Sequence, residues 1–179
     1  MVFKFIKNIN KERGFSFVEL IVTMSVIVIL TIASFPFYKS LKGDLALERS
    51  AAKLVQDIRR AQEMALSGRD FGNNFPEGGY GICFNSSSPS FYVIFADVNG
   101  NKIRDGGEEV ETVNFESNIK INSVSGGTLD IIFVPPNPDV FLTDLGVDLG
   151  SLVEITISSS DGSRSKTIRV NKAGLVWIE

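Results

Sequence analysis

Two places along the chain set oxygen atoms or charge where they could do chemistry. In DVNGNKIRDGGE, residues 97–108, Asp97, Asn99, Asn101, Asp105 and Glu108 hold positions 1, 3, 5, 9 and 12, and the Ile103 carbonyl stands at 7. That is the ligand spacing of a twelve-residue calcium loop, in which alternate residues of a tight turn aim oxygens at one point. Lys102 stands where the sharp turn normally has glycine, a predicted strand rather than a helix precedes the loop, and Lys102 and Arg104 offset part of its negative charge. Two readings stay open: a structural calcium site, or a hairpin turn in which Asn and Gly serve backbone geometry. The second place is Glu19, the one ionised side chain in the apolar run FSFVELIVTMSVIVILTIASFPF. Near the apolar region of a bilayer an unpaired carboxylate costs on the order of 3 kcal/mol.

The residues that are missing narrow the function classes. None of the 179 residues is histidine, which removes the commonest general base and the commonest metal ligand. A Ser-His-Asp arrangement therefore cannot form. Cys83, the one cysteine, cannot make an internal disulfide, and in GICF it reads as a small hydrophobe in a buried strand. The acid pair Glu108-Glu109 has no second partner group, so enzyme activity is not expected. Net charge is -3, yet Lys4, Lys7, Lys11 and Arg13 gather at the start against Glu12. The remainder is correspondingly more acidic, which argues against bulk attraction to nucleic acid. A composition 44% hydrophobic and 22% charged suits one domain with an appended segment.

The elements that must position these residues follow from periodicity. Residues 15–37 are roughly 23 in number, enough to cross the hydrocarbon core as a helix. The basic residues precede them, so the N-terminus is expected to stay cytoplasmic and the rest to be exported. A secretory signal peptide would have a shorter apolar core and a small-residue cleavage site at its far end. A plain anchor leaves Glu19 unexplained. A cut after Gly14 would make the amine of Phe15 a new terminus one helical turn from Glu19, and so supply a cation for an assembly contact. Pro36 lacks the amide proton that would bond back to Ile32 and is expected to loosen the helix.

Residues 38–68 read as an amphipathic stem with Leu47, Ala51, Leu54, Ile58, Ala61 and Ala65 on one stripe. Glu48, Arg49, Asp57, Arg59 and Arg60 are expected on a solvated face. Gly43 suggests local flexibility and Ser67-Gly68 a stop. Beyond residue 68 the period becomes two: GYGICF, FYVIFAD, VETVNF, IKINSV, TLDIIFV, LVEITIS, KTIRVN and LVWIE read as strands of a sheet with one buried face. PPNPD at 135–139 is expected to be a surface loop. The fold class is α+β: a long N-terminal helix packed on an antiparallel β head.

RG-FSFVEL followed by an apolar run resembles the class III signal of type IV pilins and type II secretion pseudopilins. The resemblance implies cleavage by a prepilin peptidase between Gly14 and Phe15, N-methylation of Phe15, and Glu19 as the carboxylate for subunit registration. Pro36 sits where such helices commonly carry proline, while Ser16, Phe17 and Val18 depart from the usual wording. It implies four parts: leader 1–14, transmembrane and assembly helix 15–37, stem 38–68 and head 69–179. It also implies a single-pass inner-membrane protein with an extracytoplasmic head and other pilins as partners. No cofactor is required by it, and calcium at the 97–108 loop would be weakly held on the exported side. The stem AAKLVQDIRRAQEMAL and the ending SRSKTIRVNKAGLVWIE are similar to GspH/FimT-like minor pseudopilins. Some FimT-like pilins bind DNA through a GRxR-type motif, and the matching place here reads Gly174-Leu175-Val176-Trp177 with no arginine. Arg164, Lys166, Arg169 and Lys172 form a basic run that equally protects a sheet edge. A minor subunit at or near a filament tip is the expectation; a major subunit and a DNA-binding pilin are the alternatives.

Overall fold

The computed structural model describes residues 14–72, 75–136 and 139–179, and of residues 35–41 the backbone alone. Most of the leader, the Pro36 side chain, and Asn137 and Pro138 of the expected PPNPD loop lie outside the described residues. One helix, α1 (Phe17–Leu66), is followed by β1 (Gly79–Asn85), β2 (Phe91–Asp97), β3 (Glu109–Asn114), β4 (Ile119–Val124) and β5 (Thr128–Val134). Then come β6 (Asp139–Asp144), β7 (Val147–Asp148), β8 (Leu152–Ser159), β9 (Ser165–Asn171) and β10 (Val176–Ile178). The fold is α+β, and the chain divides into two compact units after Ser40.

In the first unit α1 presents a bare apolar surface. Its stretch Phe17–Ser34 has a mean hydropathy of 2.4, is 0% buried, and is long and apolar enough to cross a membrane. The hydroxyls inside it turn inward on the helix: Ser25 donates to the Ile21 carbonyl at 2.6 Å, Thr31 to Ile27 at 2.8 Å and Ser34 to Leu30 at 2.9 Å. Polar side chains that satisfy themselves this way make no demand on an apolar surrounding.

In the second unit the expected stripe is the helix's buried side: Leu47, Ala51, Leu54, Ile58, Ala61 and Ala65 are each at most 4% exposed. The helix ends as its residues dictate. Gly68 takes φ 60°, its N–H donates to Ala65 at 3.2 Å, and Arg69 N–H donates to Met64 at 3.3 Å. This glycine-based closure satisfies carbonyls that the last turn would otherwise leave bare.

All eight expected strands form, but they build two antiparallel sheets rather than one, in the orders β3-β2-β1-β5-β6-β7 and β10-β9-β8-β4. The main core takes residues from the stem and from both sheets, among them Ile82, Ile131, Ile155 and Ile168. β6 and β7 were not expected, because the prolines at 135–136 mask a hairpin: Val134 pairs with Asp139 across that turn. Asp139, the last residue of the expected surface loop, already belongs to a strand. β1 is buried along nearly its whole length, and Gly81 lets it lie close to β5. A Cβ there would stand 2.7 Å from the Ile131 carbonyl oxygen and 2.9 Å from the Phe95 ring.

The stem's charges do not form a simple solvated face. On one side Glu48 meets Lys166 at 3.3 Å and Asp44 pairs with Arg164; on the other Arg60 meets Glu111 at 2.7 Å and Arg49 meets Glu116 at 3.6 Å. Exposed pairs of this kind contribute little individually, so they set the helix's seat more than its stability. Asp57 departs furthest from the expectation. It is 7% exposed and accepts a 2.6 Å hydrogen bond from the buried Tyr92 hydroxyl. Burial, then the Asp57 carboxylate, push the Tyr92 hydroxyl's pKa up, so the phenol stays a donor. Tyr92→Phe leaves this carboxylate buried without its donor and is expected to cost about 2 kcal/mol of stability. Thermal unfolding of the full chain in detergent checks it, and an unchanged midpoint would show that water replaces the tyrosine.

Candidate functional site

The 97–108 loop brings its six singled-out residues into one turn between β2 and β3. Asp97, fully buried at the end of β2, accepts from the N–H groups of Asn101 at 3.2 Å and Lys102 at 2.9 Å. Asn99 Oδ1 accepts from Asn101 N–H at 3.0 Å, and Asn101 Oδ1 from Ile103 N–H at 2.9 Å. Glu108 closes the turn, one carboxylate oxygen on Val98 N–H at 3.0 Å and the other on Asp105 N–H at 2.9 Å. The side-chain amides of Asn99 and Asn101 donate to Asp105 at 2.9 and 2.7 Å. Lys102 adopts φ 64°, the left-handed conformation that the glycine of a calcium loop normally supplies. Among the described residues no three carboxylate, cysteine or histidine groups gather as a metal cluster. The oxygens are thus satisfied by the loop's own N–H groups, and the turn holds its shape through hydrogen bonds.

At the other end of the chain, Gly14, Phe15 and Ser16 precede the helix, and Phe15 is 81% exposed. The Gly14–Phe15 bond is therefore open to solvent and free of regular structure. Leu20 N–H donates to the Ser16 carbonyl at 3.1 Å, opening α1. Glu19 lies in the first turn, where a carboxylate meets the helix's unpaired N–H groups favourably. It is exposed among exposed apolar side chains, Val18 at 67% and Leu20 at 48%. Residues 9–35 match the family described as the prokaryotic N-terminal methylation motif.

The chain carries the signal of a type IV pilin-like precursor. Gly14, Phe15 and Glu19 all fall within the matched stretch. A signal of this type implies processing by prepilin peptidase and assembly with other pilins. No curated protein and no solved structure matches the chain.

The tail forms the expected hairpin. β9 and β10 pair across a turn in which Asn171 Oδ1 accepts from Ala173 N–H at 3.0 Å and Leu175 N–H at 2.9 Å. The basic run on it is neutralised throughout. Besides Arg164 with Asp44 and Lys166 with Glu48, Arg169 meets Glu154 at 2.8 Å and Glu179 at 2.6 Å, and Lys172 meets Asp148 at 2.6 Å. Cations already paired with carboxylates must break those pairs before they can contact phosphate.

Two buried acids escaped the sequence reading. Asp57 gave a weak signal, a carboxylate one place from the stem's apolar stripe. Asp130 gave a clearer one, since an acid inside the run TLDIIFV interrupts an otherwise apolar strand.

Proposed function

We propose that this chain is a minor pseudopilin or minor type IV pilin of the GspH/FimT-like kind, held in the inner membrane by α1 and assembled at or near a filament tip. The observation that carries the reading is the methylation motif at residues 9–35 overlapping a helix whose apolar stretch Phe17–Ser34 is 0% buried among the described residues. Such a surface needs lipid before assembly and neighbouring helices after it. In this reading the basic leader stays in the cytoplasm and the head lies outside it. Prepilin peptidase cuts between Gly14 and Phe15, Phe15 is N-methylated, and Glu19 registers the subunit against its neighbours. The paired tail cations and the arginine-free Gly174-Leu175-Val176-Trp177 stretch favour this structural role over DNA uptake.

Mass spectrometry of protein extracted from membranes is expected to find a mature chain that begins at Phe15 with one added methyl group. A chain beginning near Tyr38 would identify an ordinary signal peptide and overturn the reading. Relative abundance in purified filaments separates a tip subunit from a shaft subunit.

A further inference from the structure

Trp177, the chain's single tryptophan, stands on the outer face of the four-stranded sheet. Alternation puts it there. Val153, Ile155, Ile168, Val170 and Val176 turn into the main core, so their neighbours along β8, β9 and β10 turn away from it. Register then sets the outward residues in rows. Leu152 lies opposite Asn171, whose N–H donates to the Leu175 carbonyl at 3.2 Å. Glu154, Arg169 and Trp177 form the next row. Thr156 and Thr167 follow, their hydroxyls 3.2 Å apart. The face is open: Leu152 is 42% exposed and Leu175 61%, and Glu154, Arg169, Trp177 and both threonines are at least partly exposed.

Charge and polarity limit what can lie on this face. Arg169 is held between two carboxylates, Glu154 at 2.8 Å and Glu179 at 2.6 Å. A polyanion would face both carboxylates, and a basic segment would have to displace Arg169 from them. The apolar side chains do not merge into one patch, because Asn171 separates Leu152 from Leu175. A protein surface pressed here would bury that amide and the ion pairs, at a cost in desolvation. An uncharged polyol meets neither obstacle. Its hydroxyls donate to the carboxylates, accept from the guanidinium and the Asn171 amide, and do either with the threonines.

We infer that this face binds an extended, uncharged β-1,4-linked glycan, with Trp177 as the stacking platform. In β-linked glucose rings every hydroxyl is equatorial, so each ring face carries only C–H groups. Those slightly positive hydrogens complement the negative face of an indole. The linked rings make a flat ribbon, which suits a sheet surface about 10 Å wide across three strands. Their equatorial hydroxyls then lie beside the Glu154–Arg169 pair and the two threonines.

Trp177 supplies the readout, since it is the chain's one tryptophan. The full chain, in a detergent without a sugar headgroup, is titrated with cellotetraose to millimolar concentration. A saturable change in tryptophan emission is expected, together with NMR saturation transfer from the protein to the sugar's ring C–H protons. Maltotetraose, the α-linked isomer that coils, is expected to bind about tenfold more weakly because its rings cannot lie flat together. Trp177→Ala is expected to weaken cellotetraose binding by about the same factor, read from the transfer signal in a chain whose Tm is retained. No saturable change with cellotetraose, or an equal response to maltotetraose, overturns the inference whether or not the variant folds. Undiminished transfer to the folded variant overturns it too. Emission that shifts with protein concentration and not with sugar also overturns it, and makes the face a contact between copies of the chain. None of these measurements depends on the proposed filament role.

Discussion

Replacing Glu19 with alanine is expected to leave membrane insertion and cleavage after Gly14 intact and to remove most of the protein from filaments. Insertion has nothing to lose, because a neutral residue is easier to place in lipid than a carboxylate. The proposed cut at Gly14–Phe15 lies ahead of the helix that begins at Phe17. The loss falls on assembly. In the single chain Glu19 is exposed in the first turn of α1, surrounded by apolar side chains that a neighbouring helix must cover. Covering them strips water from the carboxylate, which then needs a cation. The Phe15 amine released by processing is the one the proposed function supplies. An opposite charge within about 4 Å in such surroundings is worth several times its value in water. The measurement compares mutant and unaltered protein in membrane and sheared-filament fractions. Incorporation at the normal level would show that the charge is not the assembly contact.

The second large effect belongs to Asp97. Asp97→Ala is expected to destabilise the head by about 3 kcal/mol, a fall of roughly 10 °C in Tm. The side chain is fully buried and receives two backbone N–H groups, one of them from Lys102 in its left-handed conformation. Without the carboxylate those donors lose their partner and the turn loses what holds Lys102 at φ 64°. Gly78 is packed so closely that a Cβ there would stand 2.0 Å from Asp97 Oδ2, so the pocket is built around this group. The check is thermal unfolding of the full chain in detergent, with chelator and with millimolar calcium. A fall in chelator shows that hydrogen bonds close the turn on their own. A rise in the unaltered chain with calcium, lost in Asp97→Ala, would assign the loop to an ion as well. An unchanged Tm for the variant in chelator would refute the closure argued from the hydrogen bonds.

Much of this protein is legible in local sequence, because the forces concerned act over a few residues. The apolar run behind Gly14, the Leu47-to-Ala65 stripe, the Gly68 stop and eight strands all follow from periods of 3.6 and 2 and from glycine's freedom at φ 60°. The spacing of Asp97, Asn99, Asn101, Asp105 and Glu108 likewise forecast a closed turn, since alternate short polar side chains reach nearby backbone N–H groups wherever the chain reverses. The spacing was silent on what those oxygens hold, because the same lone pairs accept N–H groups or ligate a cation.

Other features depend on elements distant in sequence. Two sheets rather than one arise because β4 pairs with β8 while β5 returns to β1, a choice among edges that alternation does not encode. The hairpin into β6 was hidden because prolines signal a break without saying whether the next strand returns alongside. Asp57 is buried only because Tyr92 arrives from β2, and the stem's charges are paired only because β3 and β9 flank the helix. Asp130 illustrates the division most clearly. Its placement in an apolar strand is visible in the sequence, but its burial is not. It is 1% exposed in a strand that β1 and β6 flank, with Cys83 and Thr143 as its register partners.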